Sequence, residues 1–362
     1  MRIRKLSITA CTALLLLAAS VSPAGAAAVT GTSAVVPTSA PGTVLTLPAA
    51  NIYAGGLVVD SRHHHIFVSA RQPTVPYAAE VLVLDTRGRL VDTITAGGVG
   101  ALVLSPDGRT VYASGEPVTA IDTATLKARR LDIGAEYNMS VGSLVITGGR
   151  LWFEAYQTGD SSQWYIGSLD IQPRRADVTY TPVPYEPADL ATSVGAPNTL
   201  VAGGYDANAN TNYLDVYRTG RNGRLTEKAE RSGWAQHLAV TRDGRYVVST
   251  QEGVLRLSDL APVRMLNTPG YQPTMVSVAP NGTIAVVADQ QANSDQRAFM
   301  FTECGWTPVK VLDYGPEDLA ENGVGTLTAL AWSQDSDQLY DLFVAKPVGN
   351  PYLALGVTTV RR

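Results

Sequence analysis

The sequence predicts an all-β chain, a seven-bladed β-propeller of four-stranded blades whose ring is closed by an N-terminal strand in the last blade. Three observations lead there: an internal repeat present in seven copies, repeat units of roughly 37 to 50 residues, and strand patterning with almost no helical periodicity. The clearest copy, residues 100–114 (GALVLSPDGRTVYAS), recurs at 236–250 (QHLAVTRDGRYVVST) and at 275–288 (MVSVAPNGTIAVVA). Each copy is a short apolar strand, a polar turn with Asp-Gly or Asn-Gly, and a second apolar strand. Glycine accepts the positive φ that such a turn needs. Degenerate copies at 57–69, 143–153, 192–202 and 328–340 depart from the repeat at the turn and complete the seven. Sandwiches and jelly rolls do not repeat in this way.

After each hairpin a third strand is expected, often ending in Asp, at 81–85, 118–122, 166–170, 213–215 and 255–259. A fourth follows, as at 90–94 and 309–312. The last unit has three strands only, 327–332, 339–345 and 352–360, while an orphan strand at 43–47 precedes the first hairpin. That orphan, added as the outer strand of the last blade, closes the ring and covers two edges open to aggregation.

Ahead of the propeller (43–362), residues 1–26 read as an export signal: Arg2, Arg4 and Lys5, an apolar run around residues 14–17, and small residues at 24–26. The apolar stretch 6–19 is shorter than the roughly 20 residues that span a bilayer. Cys11 precedes the Leu run instead of following it, which disfavours lipidation. Residues 27–42 read as a flexible leader. A secreted, extracellular protein with no membrane attachment after cleavage is expected, with Cys304 alone and no internal disulfide. The chain is 45% apolar and 17% charged, which suits a folded core. Its net charge of −4 becomes more negative when the three basic residues leave, and such a surface argues against nucleic acid as a partner.

The pattern LVLSPDGRTVYA at 102–113, followed by VTAIDTATL at 118–126, resembles the YVTN-type (YncE-like) seven-bladed propeller repeat. Over about residues 43–360 the chain is similar to secreted actinobacterial propellers of this kind. The resemblance implies the fold; its motif is structural and implies no catalytic residue.

Long connections at 71–79, 157–163, 206–212, 290–296 and 346–351 fall on the face where the chain passes between blades, here called the top. Elaborated loops over a rigid scaffold mark that face for binding. Its interblade segments carry Asn51 and Tyr53; Glu136, Tyr137 and Asn138; Tyr185, Glu186 and Asp189; Trp234, Gln236 and His237; Tyr271 and Gln272; Glu321 and Asn322. Aromatic faces beside amide and carboxylate edges suit a small molecule, glycan or peptide, and they equally suit filling the space between blades.

Binding without chemistry, by a monomer and with no cofactor, is the expected function. An alternative is a hydrolase or lyase acting on a lactone or acidic polysaccharide, with His237 as base, Glu186 or Asp189 beside it, and Tyr137 or Tyr185 as acid. A protein-interaction platform is the third. His63, His64 and His65 align with the Gly-Arg-Thr of the repeat's turn, where neighbouring side chains diverge, so no metal site is expected there. Asp206, Asn208 and Asn210 resemble part of a calcium loop that lacks its Gly and Glu, with Thr211 and Tyr217 in their places.

Overall fold

The structure, a computed structural model, describes residues 38–39, 45–50, 53–71, 79–98, 100–131, 133, 139–157, 163–171, 177–207, 209–233, 236–290, 295–303, 305–314, 326–345 and 352–360. Blade 1 is built from Tyr53–Asp60, His65–Arg71, Ala79–Asp85 and Leu90–Ala96. Blade 2 follows with Leu102–Leu104, Thr110–Ala113, Val118–Asp122 and Ala128–Leu131. Blade 3 has Met139–Thr147, Arg150–Gln157, Trp164–Asp170 and Val178–Val183. In blade 4 the strands are Glu186–Ala191, Thr199–Asp206, Thr211–Thr219 and Leu225–Ser232. Those of blade 5 are Leu238–Val240, Tyr246–Ser249, Gly253–Arg256 and Pro262–Arg264. Blade 6 contains Gln272–Val278, Thr283–Gln290, Asp295–Thr302 and Lys310–Asp313. Blade 7 has Thr326–Trp332, Gln338–Ala345 and Tyr352–Thr359. The innermost strand of each blade adjoins that of the next, and blade 7 adjoins blade 1.

The orphan strand closes the ring as expected. Leu45–Ala50 pairs antiparallel with the last strand, Leu45 opposite Leu355 and Thr46 opposite Ala354. Thr38–Ser39 adds a short parallel fifth strand to blade 6, Thr38 opposite Leu312. That pairing lies within the span read as leader.

The second and third strands of the blades are buried on both faces, which explains their nearly continuous apolar runs, whereas outer strands such as Leu90–Ala96 and Pro262–Arg264 are largely exposed. Side chains alternate along a strand, so Leu57 and Val59 pack toward blade 7 while Val58 packs toward blade 2. The apolar core is accordingly seven layers, one at each junction between blades.

The inner turns show why the repeat has its composition. In blade 2, Asp107 accepts from Ser105 Oγ and the Arg109 amide, and Ser105 Oγ accepts from the Thr110 amide. The same cage recurs around Thr241 and Asp243 in blade 5 and around Ser333 and Asp335 in blade 7. All seven inner hairpins place a residue at positive φ: Gly108, Gly244 and Gly282 in the clear copies, and His64, Gly148 and Gly149, Asn198 and Ser336 in the degenerate ones. Of the Asp residues read as strand ends, Asp85, Asp122 and Asp170 end theirs. Asp215 instead sits mid-strand and buried, and Asp259 lies beyond its strand.

Candidate functional site

Seven inner strands converge on one axis, and a cavity of about 650 Å³ opens at the top half of the channel. Every blade contributes to it, through Gly56, Ala101, Gly142, Asp189, His237, Met275 and Thr328 among others. The inner strands of blades 1, 3, 4, 6 and 7 lose register with their neighbours at this level, at 54–56, 141–144, 187–189, 273–275 and 327–329. Bulges of this kind bend a strand and re-aim its side chains.

The polar groups gather where blades 3, 4 and 5 meet. Glu154 reaches the channel from the second strand of blade 3 and accepts the Ser143 amide at 3.2 Å. Asp189, on the inner strand of blade 4, accepts the Leu238 amide of blade 5 at 2.5 Å. Ser143 Oγ in turn accepts the Leu190 amide at 3.1 Å. These bonds replace the ladder that splayed inner strands cannot form, and they fix the carboxyl groups in place.

Burial pushes Glu154 up to about 7, with the nearby charges of Glu186 and Asp189 adding to the effect. Burial likewise pushes Asp189 up to about 7, against the opposing pull of the Leu238 and Leu190 amides. The imidazole of His237 is shifted downward by burial, so it favours its neutral form. His237 holds a left-handed backbone, φ 49°, at the start of blade 5, a conformation costly for a non-glycine residue. The mouth therefore offers carboxyl groups that titrate near neutrality, a neutral imidazole and the Gln236 amide in one cavity.

Several expected residues take other positions. Tyr185, read as a rim residue and possible acid, is 1% exposed. Its hydroxyl donates to Asp215 at 2.7 Å and its ring stacks on Tyr213 at 5.5 Å, so it belongs to blade 4 and presents no surface to a ligand. The ring of Tyr271 lies against Phe299 and beneath the Arg297 guanidinium, 4.7 Å from its centroid, and is held by blade 6. Gln272 is exposed opposite Asp289, and Glu186 is exposed at the head of blade 4. No hydrogen bond joins His237 to Asp189 or Glu186 among the described residues, although Asp189 binds the amide next to His237. Glu136, Tyr137, Asn138, Trp234, Asn322, Asn51, Glu321, Asn208 and Cys304 lie outside the described residues, as does the side chain of Tyr53.

At the bottom, His63 pairs with buried Asp60 at 2.6 Å and His65 meets the Thr123 carbonyl at 3.3 Å. In the calcium-like loop, Asp206 accepts the Ala209 amide and Asn210 accepts the Tyr205 hydroxyl at 2.8 Å. No group of three metal-ligating His, Cys, Asp or Glu occurs among the described residues.

Glu154 is the residue that sequence reading missed. Aligned on the repeat, it stands where blades 1, 2 and 5 have Ser69, Ser114 and Thr250. Ser69 and Thr250 bond to the carbonyls of Gly100 and Gln236. A carboxylate replacing a hydroxyl in an otherwise apolar strand was the available signal.

No family model and no curated protein matches the chain in sequence. Solved structures match in fold. The WD40 propeller domain of Doa1 has a TM-score of 0.57 at 9% identity, over 89% of this chain and 98% of that one. Kuenenia stuttgartiensis hydrazine synthase has 0.54 at 16%, over 90% and 97%. A Mycobacterium tuberculosis puromycin-hydrolyzing peptidase has 0.60 at 13%, over 86% of this chain and 53% of that one, so this chain spans about half its length. At such identities the likeness carries the fold alone: this chain is a seven-bladed β-propeller.

Proposed function

We propose that the chain is an exported binding protein of the YVTN type that takes a small molecule, glycan or peptide at the top mouth of its channel and releases it unchanged. The observation that carries this reading is the 650 Å³ cavity whose polar groups converge at the junction of blades 3, 4 and 5. Near neutral pH, Glu154 and Asp189 can each donate or accept, which suits hydroxyl- and amide-bearing ligands. Export rests on the basic, apolar and small-residue order of residues 1–26.

Thermal-shift screening of glycans, peptides and lactones tests the reading, because a ligand of the folded state raises the melting temperature. A hit whose affinity falls about tenfold or more in Glu154→Gln and His237→Ala supports it, a loss of about 1.4 kcal/mol. Hits indifferent to both substitutions place binding elsewhere.

One observation favours general acid–base chemistry as a second reading: His237 tends to neutrality in the same cavity as a carboxyl group near 7. Glu154 then replaces Tyr185 as the acid. Turnover of a bound lactone or acidic polysaccharide that His237→Ala abolishes while affinity persists distinguishes this from binding alone.

A further inference from the structure

Blades splay outward from the axis, so a wedge opens between neighbours near the bottom rim. Between blades 4 and 5 this wedge has a volume of about 560 Å³. Its floor is apolar, formed by Val216, Leu257 and Ala196. Three cations stand around it: Lys228 from the outer strand of blade 4, Arg245 from the inner turn of blade 5, and Arg256 from the third strand of blade 5. All three are exposed.

Their charge is little compensated. Arg256 meets Asp259 at 2.9 Å, whereas Lys228 and Arg245 form no ion pair among the described residues. Arg245 lies 5.6 Å from the centroid of the Tyr246 ring. A bulge in blade 4 sets Val216 opposite Ala229 and Tyr217 opposite Glu227, which leaves Lys228 outside the pairing. The corresponding wedge between blades 6 and 7, about 630 Å³, also has apolar walls, with Met300, Val309 and Val360, but carries one acid and one base, Glu303 and Lys310. The wedge shape is thus shared, while the positive rim belongs to the 4–5 junction of a chain whose net charge is −4.

We propose that this groove is a second binding site, on the face opposite the channel mouth, for an amphiphilic organic anion. A carboxylate or phosphate meets Lys228, Arg245 and Arg256, and the apolar portion lies on Val216 and Leu257. The ligand is bound and not transformed.

Fluorescence titration of the full chain with 8-anilinonaphthalene-1-sulfonate, an aromatic anion, tests the site directly. Decanoate and decyl phosphate serve as competitors, and far-UV circular dichroism checks the fold of each variant. The wild type should bind saturably and more weakly as salt rises, as charge pairing at a solvent-exposed rim requires. The double variant Lys228→Gln/Arg245→Gln should lose about tenfold or more in affinity, with Lys310→Gln unchanged. Competition by either amphiphile supports the site, and the stronger of the two identifies the preferred headgroup. Absence of saturable binding, equal affinity in the folded double variant, loss in Lys310→Gln instead, or competition by neither amphiphile overturns the proposal.

Discussion

Gly142 and Glu154 share one volume at the channel mouth: a Cβ on Gly142 would stand 2.5 Å from Oε2 of Glu154. The absence of a side chain at the bulge of blade 3 is what admits the carboxyl group to its buried position. Gly142→Ala should therefore swing the flexible end of Glu154 outward without unfolding the blade. Its titration, followed by carboxyl carbon NMR, should fall from about 7 toward the ordinary value of 4.5. An unchanged midpoint would show that Gly142 does not control it.

Asp341 supplies a prediction on pH. It is fully buried between blades 6 and 7, near Tyr314, and burial raises it to about 8. The folded chain thus holds a proton that the unfolded chain releases near 3.8. This contribution to stability is complete below that value and is lost as pH rises to about 8. Asp341→Asn, which keeps the side chain's size and polarity but cannot ionise, should flatten the decline and exceed wild type at pH 8 by at least about 1 kcal/mol. Denaturant melts at pH 5 and 8 measure this; parallel curves for the two proteins would contradict it.

Ring closure depends on Leu45–Ala50 lying against Tyr352–Thr359. Deleting residues 27–50 should uncover the edge of blade 7 and lower the melting temperature by several degrees. Deleting residues 27–40 removes, among the described residues, the two-residue pairing on blade 6 and should cost much less. Equal melting temperatures for the two truncations would refute the latch.

Tyr185→Phe separates core from rim. It removes a buried hydroxyl that donates to Asp215 at 2.7 Å, leaving Tyr217 as that carboxyl's donor, also at 2.7 Å. Stability should fall by about 1 to 3 kcal/mol. Affinity for any ligand of the channel should stay the same, and a selective loss of binding would return Tyr185 to the site.

The blade count, the four-strand unit and the closing strand are legible in the linear sequence. Those follow from period and from turns whose bonds span two to five residues, as between Ser105, Asp107 and Thr110. Alternating burial is equally local, because adjacent side chains on a strand point to opposite faces. His237, Gln236 and Asp189 were legible as mouth residues because each stands at or near the head of an inner strand. Which way side chains turn once seven blades close is set by packing across the assembled ring. Tyr185 and Glu186 are neighbours in sequence, yet one is sealed against Asp215 and the other is exposed. Glu154, on a second strand, reaches the channel because Gly142 leaves room for it. Its shift toward neutrality depends on burial and on the charges of Glu186 and Asp189 in the adjoining blade. Desolvation and charge coupling are properties of the closed ring, and no local pattern encodes them.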